Sequence, residues 1–186
     1  MHLEHAIVLL NFAYIGLLPR IFFKKGGKLN GNWCLTAAPF ALAVTSVLAA
    51  ASGAVSSPGP DSYGAYLSGF LSLMSVSLIS FAIGSNRIPL SLWHQNDAPQ
   101  EIVTWGAYRF VRHPFYTAFL LAFASAICAA PSMLSLFAGI FGYLVLNRTA
   151  AMEERKLSAS QLGTQYKSYI GQTGRFLPGP GVKSHA

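Results

Sequence analysis

Two segments of this chain gather most of its polar chemistry. The first ends in WGAYRFVRHPFY, Trp105 to Tyr116, and places Arg112, His113 and Tyr116 around Pro114. The second runs from Asn147 to Pro178 and holds the adjacent acids Glu153 and Glu154 in otherwise basic surroundings. An arginine fork grips a carboxylate at two points, and a carboxylate grips a guanidinium or an ammonium. Proline suits the first turn of a helix, so Pro114 predicts a helix N-terminus beside Arg112 and His113. Free amides and partial positive charge at that terminus favour an anion. Together these groups fit an anionic or zwitterionic ligand. A second reading stays open: Arg and His snorkel, and Tyr belongs to interfacial aromatic belts. Likewise Asn147–Pro178 reads as an amphipathic helix resting Leu157, Leu162, Tyr166 and Tyr169 on a membrane, with surface ion pairs. If a helix continues through this segment, Arg148 and Glu154 are expected on nearby faces, and Gly163 interrupts it.

Other chemistries leave no trace. There is no G-x-G-x-x-G before a strand–helix unit, no P-loop, no Cys or His cluster at zinc spacing and no Ser nucleophile elbow. Cys34 and Cys128 each sit inside an apolar run and read as small hydrophobes.

The elements that must carry the two segments are apolar. Of 186 residues only 10% are charged, 53% are hydrophobic and 13% aromatic, and mean hydropathy is +0.44. An ordinary soluble domain carries roughly a quarter charged residues. The composition excludes disorder, a secreted disulfide scaffold and a coiled coil, and points to a small polytopic membrane protein. Ala6–Phe23, Trp33–Val55 and Tyr66–Gly84 each approach the ~20 residues a spanning helix needs. The first follows Glu4 rather than a positive region, so it reads as a retained span, not a leader. Ser68, Ser72 and Ser75 share a face of the third and read as helix-packing hydroxyls.

The stretch Pro114–Leu146 has no Asp, Glu, Lys or Arg, yet as one helix it would far exceed a core of about 30 Å. Pro131, near its middle, breaks it into a hairpin with legs of 115–130 and 132–147. A turn within the bilayer needs neighbouring protein to cover its free backbone groups. Ala122, Ala126 and Ala130, facing Gly139 and Gly142, let the legs approach closely. Folding back in this way brings the two polar segments together.

Charge placement orients this layout. Arg20, Lys24, Lys25 and Lys28 follow the first span; Arg87, Arg109 and Arg112 precede the hairpin; Arg148, Arg155, Lys156, Lys167, Arg175 and Lys183 follow it. The connection Ser56–Tyr63 carries only Asp61. With the N-terminus outside, all 13 basic residues fall on the cytoplasmic side. The net charge of +7 is then an orientation signal and a headgroup contact, with no nucleic-acid partner. The expected fold is all-α integral membrane: about five membrane-embedded helices, the last two a Pro131-broken hairpin, and a cytoplasmic C-terminal helical segment. Three spans occupy residues 1–84 and the site-bearing half residues 85–180 of one domain.

Read in order, Gly106-Ala-Tyr108, Arg112-His113-Pro114-Phe-Tyr116, a long apolar stretch, Glu153-Glu154-x-x-Leu157, Gly163-x-x-Tyr166-x-x-Tyr169 and Arg175-Phe-x-Pro178 resemble the isoprenylcysteine carboxyl methyltransferase family. That family is related in its C-terminal half to the phospholipid N-methyltransferases. The resemblance covers roughly residues 85 to 180, and the 37 positions from Tyr116 to Glu153 favour the carboxyl methyltransferase branch. It implies an integral-membrane enzyme using S-adenosylmethionine, with a lipophilic small-molecule or prenylated acceptor entering from the bilayer. Tyr108, Arg112, His113, Pro114 and Tyr116 are then expected at the cofactor, and Tyr166, Tyr169, Arg175 and Pro178 in a segment folding over it. Arg148 and one of the pair Glu153 and Glu154 match the essential charged residues, with Arg148 as acceptor clamp. The short chain is similar to prokaryotic members, which implies a prokaryotic cell membrane and leaves open whether a prenylated protein is the natural acceptor.

Carboxyl transfer needs no proton abstraction, because the acceptor is ionised at neutral pH; it needs in-line placement and exclusion of water. An amine acceptor would have to lose a proton, so a Glu or His base would matter more. Phospholipid or small-molecule N- or S-methylation is thus an alternative. Two others are an NADPH-dependent membrane reductase, for which no extra basic cluster is evident, and a non-catalytic membrane protein.

Overall fold

Among the described residues, 2–21, 33–86 and 101–179 of the computed structural model, regular structure is helical. Helix α1 covers Leu3–Ile21, α2 Trp33–Ala51, α3 Tyr63–Ser85, α4 Pro114–Ala129, α5 Met133–Ser158 and α6 Gly163–Gln172. A 3-10 turn, Gly106–Arg109, precedes α4, and the only bridge in these segments is a parallel pairing of Val111 with Gly174. Helices α2, α3 and α5 are long and apolar enough to cross a membrane; α1 and α4 are shorter apolar helices. Lys24, Lys25, Lys28, Arg87, Lys183 and the side chain of Arg20 lie outside the described residues, as does most of the segment between α3 and the 3-10 turn.

Val8, Phe12 and Ile15 of α1, Val47 of α2, Ile79 of α3, Phe123 of α4 and Leu146 of α5 share one buried core. The α3–α4 pair is the most extensively packed. The serines of α3 pack as hydroxyls: Ser72 and Ser125 pair at 2.7 Å, and Ser75 donates to the Ala118 carbonyl at 2.8 Å and to Asn11 Oδ1 at 3.2 Å. Each small side chain lets two helices close while its O–H finds an acceptor.

The break falls at Ala130–Ser132, where Pro131 offers no N–H. Its free groups are covered by other parts of the chain. His5 Nε2 meets the Ala129 carbonyl at 3.2 Å, and Ser135 Oγ donates to the Ala130 carbonyl at 2.6 Å. Ser132 and Ser135 form a reciprocal cap at the start of α5, and Ser46 joins Ser132 at 2.9 Å. The legs meet differently from an alanine seam. A Cβ at Gly142 would fall 2.5 Å from the Phe123 ring, and one at Gly139 would fall 2.9 Å from Ile127. Large α4 side chains therefore lie in the space the α5 glycines leave.

Helix α5 runs 26 residues, from the turn through Asn147 to Ser158, and so carries Glu153 and Glu154 beyond its apolar part. It stops before Gly163, which opens α6. Tyr166 and Tyr169 do not lie on an outer apolar face: both are buried against Ile102, with Leu157, Leu162 and Ile170 around them. The apolar side of α6 is satisfied by protein, so the membrane-resting expectation for these two tyrosines does not hold.

Candidate functional site

Folding α5 back along α4 sets its charged end beside the start of α4, and the chain after α6 closes the third side. The backbone N–H of Arg112 donates to the Gly174 carbonyl at 2.9 Å and that of His113 to the Arg175 carbonyl at 3.2 Å. Thr117 Oγ1 donates to the Phe176 carbonyl at 3.1 Å. A strap, residues 173–179, is thus laid along the first turn of α4, where N–H groups lack intrahelical partners.

Glu154 is the hub. Its Oε1 accepts from Arg112 Nε at 3.0 Å and from Arg175 Nε at 3.1 Å, and lies 3.2 Å from His113 Nε2. Its Oε2 accepts from Arg175 Nη2 at 2.6 Å. The side chains of Glu154 and Arg112 are 10% and 5% exposed, so each needs the other for its charge to be buried at tolerable cost. Arg112 also donates through Nη1 to the carbonyls of Ile170 and Thr173. Arg175 donates through Nη1 to Asn147 Oδ1 at 2.7 Å. The Glu154 carboxylate holds the Arg175 guanidinium even more firmly protonated than usual. Helix α4, helix α5 and the strap are pinned on this single carboxylate.

Glu153 sits differently. Its side chain is 46% exposed; Oε1 accepts from Tyr116 O–H at 2.7 Å, and Oε2 lies 3.5 Å from His113 Nδ1. His113 therefore stands between the two acids, one ring nitrogen toward each. Its ring stacks on Tyr116 with centroids 5.3 Å apart and planes 3° from parallel, and Phe176 meets it edge-on at 6.2 Å. A half-exposed carboxylate next to aromatic faces suits a cation.

A second layer supports this one. Tyr169 O–H donates to the Tyr108 carbonyl at 2.5 Å, and the Tyr108 hydroxyl accepts from Asn86 Nδ2 at 3.1 Å. Burial, above all, pushes the Tyr108 phenol up to about 12, and it raises Tyr166 and Tyr169 as well. Gly106 adopts φ +59°, a region open to glycine, and lies so close to Ser85 that a side chain would collide. Ser85 Oγ in turn accepts from the Ala107 N–H at 2.9 Å.

Of the residues singled out in the sequence, Arg112, His113, Tyr116, Glu153, Glu154 and Arg175 converge. Pro114 is buried and opens α4; Tyr108, Tyr166 and Tyr169 form the support behind. Pro178 is exposed at the end of the strap, and Arg148 is exposed outside the cluster. Six residues at about 100° each put Arg148 some 120° around α5 from Glu154, so the two faces are not neighbours. Asn147 went unnoticed, although seven residues separate it from Glu154 and a seven-residue step returns to the same face. Thr173 and Phe176 act through their backbone carbonyls and through packing, which residue type does not announce, and Thr117 adds only a hydroxyl that donates to the Phe176 carbonyl. Among the described residues no group of three or more His, Cys, Asp or Glu is arranged to hold a metal. No family model matches the chain, and no curated protein aligns with it significantly.

Proposed function

We propose that this chain is an integral-membrane methyltransferase that takes methyl from S-adenosylmethionine and delivers it to a lipophilic acceptor, with carboxyl O-methylation of an isoprenylcysteine-type thioether carboxylate as the leading reaction. In this reading five helices are embedded in a prokaryotic cell membrane, the N-terminus is outside, and the site faces the cytoplasm. The observation that carries the proposal is the meeting of Arg112, His113 and Tyr116 with Glu153, Glu154 and Arg175 at one end of a helical hairpin.

The donor set fits such a cofactor. S-adenosylmethionine, when bound, supplies an electrophilic methyl group on a sulfonium and carries an ammonium. Glu153, half-exposed beside the His113–Tyr116 stack, is the carboxylate left to face a cation. Glu154 is saturated by two arginines and a histidine, so its work is to hold the strap in place. A strap anchored along the first turn of α4 excludes water, which strengthens the electrostatic interactions it covers. For a carboxylate acceptor these residues need only orient the reacting oxygen, since no proton has to leave it.

One observation favours a second reading. Arg112 and Arg175 are both committed to Glu154, and the open side of the cluster presents Glu153 rather than a guanidinium. An amine acceptor would find there a carboxylate and an imidazole to take up its proton. Supplying radiolabelled S-adenosylmethionine with a farnesylated cysteine analogue, and separately with lipophilic amines, decides between them. A base-labile, volatile label marks a methyl ester and supports the leading reaction. A base-stable label moves the assignment to nitrogen or sulfur, and no incorporation into any acceptor removes the proposal.

A further inference from the structure

A second polar feature lies behind the cluster, on the far side of Tyr169 and Thr173. A cleft of about 620 Å³ opens between the loop leading into α4, which contributes Thr104 and Arg109, and one side of α6, which contributes Thr164, Gln165, Ser168 and Gln172. Its volume lies within the range of small-ligand sites. We infer that this cleft binds a phosphate ester of net negative charge, with no cationic group of its own, and that Arg109 is its charged anchor.

The lining carries the chemistry. Every polar side chain in it can donate a hydrogen bond, and none is a carboxylate. Arg109 is exposed and its side chain, among the described residues, makes no hydrogen bond or ion pair, unlike those of Arg112 and Arg175, which are spent on Glu154. An uncommitted guanidinium beside hydroxyl and amide donors matches the several oxygens of a phosphate ester. The Tyr169 hydroxyl is already donated to Tyr108, so that ring serves as wall. Gln172 Nε2 reaches Ser168 Oγ at 3.3 Å, which leaves the serine O–H free to donate outward.

Position favours a lipid as the source. Phe110, next to Arg109, is 55% exposed, and α4 begins only four residues later at Pro114. An exposed aromatic adjoining an arginine where an apolar helix starts sets the cleft at the depth of the headgroups, with Phe110 toward the acyl chains. This site is separate from methyl transfer and stands or falls without it.

The test uses the full chain in nanodiscs of phosphatidylcholine, with or without phosphatidylglycerol, and reads retained lipid by native mass spectrometry and the thermal midpoint. Glycerol 3-phosphate added to the phosphatidylcholine sample forms the soluble arm. Phosphatidylglycerol is expected to be retained and to raise the midpoint; Arg109→Ala is expected to weaken it about tenfold, while Arg109→Lys keeps part and the exposed Arg155→Ala changes nothing. A midpoint rise with glycerol 3-phosphate that Arg109→Ala abolishes would assign the same site to a soluble ester. If Arg109→Ala binds as wild type does, or if neither phosphate compound has an effect, the inference is overturned.

Discussion

Arg112 and Glu154, 42 residues apart in the chain, meet at 3.0 Å with their charges almost wholly withdrawn from solvent. One residue precedes the hairpin and the other ends it, so the pair is closed only when α4 and α5 lie side by side. The same carboxylate receives Arg175 from the strap, which makes the bond a joint between three parts of the chain.

Removing one partner of such a joint leaves a buried charge uncompensated, at a cost of about 3–5 kcal/mol. Glu154→Gln is therefore expected to lower the thermal midpoint sharply and to speed amide exchange in residues 173–179 before it does so in α3. Hydrogen–deuterium exchange with mass spectrometry measures both.

Glu153→Gln should behave in the opposite way. Its side chain is 46% exposed, and the glutamine keeps an acceptor for Tyr116, so stability should change by less than about 1 kcal/mol. Affinity for S-adenosylhomocysteine should fall by about tenfold or more, the effect of losing a charge-assisted contact. Calorimetric titration of the two glutamine variants side by side separates holding the strap from holding the ligand.

Arg148 lies on the exposed side of α5. Arg148→Ala should leave the fold within about 0.5 kcal/mol of wild type. If Arg148 clamps the acceptor, the variant raises the KM for acceptor while the affinity for S-adenosylhomocysteine is unchanged. An unchanged KM would remove it from the site.

His5→Ala takes away the donor that covers the Ala129 carbonyl at the hairpin turn. An uncovered buried carbonyl costs about 1–3 kcal/mol, so the thermal midpoint should drop although the site is at the other end of the hairpin. Ser135→Ala, which uncovers the Ala130 carbonyl, should act in the same direction.

Alkaline pH provides a further check. The Tyr108 phenol is raised from 10.0 to about 12 in the fold, with burial as the largest cause. An unfolded chain therefore releases this proton first, and the contribution of Tyr108 to stability is complete below pH 10 and is lost as pH rises toward 12. Tyr166 and Tyr169 are raised in the same direction and steepen the loss. Tyr108→Phe should flatten the fall in denaturation midpoint over that interval.

Apolar run length and the position of proline made the helices legible. The 23 uncharged residues from Trp33 foretold α2, and Pro114 and Pro131 marked the start of α4 and the hairpin turn. The meeting of RHPFY with the glutamate pair followed from that turn. What charges the partners would be did not follow. Arg175 reaches Glu154 because the strap pairs with Val111, Arg112 and His113, and such backbone pairing leaves no mark in residue type. The inward turn of Tyr166 and Tyr169 was hidden for a related reason. An amphipathic stripe shows that a helix has a surface to cover, and Ile102, far away in sequence, is part of what covers it.

The most direct measurement is a titration of the folded, reconstituted chain with S-adenosylhomocysteine and, in parallel, with NADPH. Saturable binding of S-adenosylhomocysteine that NADPH does not match, and that Glu153→Gln weakens, is the predicted result. A folded chain that takes up no S-adenosylhomocysteine would contradict the methyltransferase assignment.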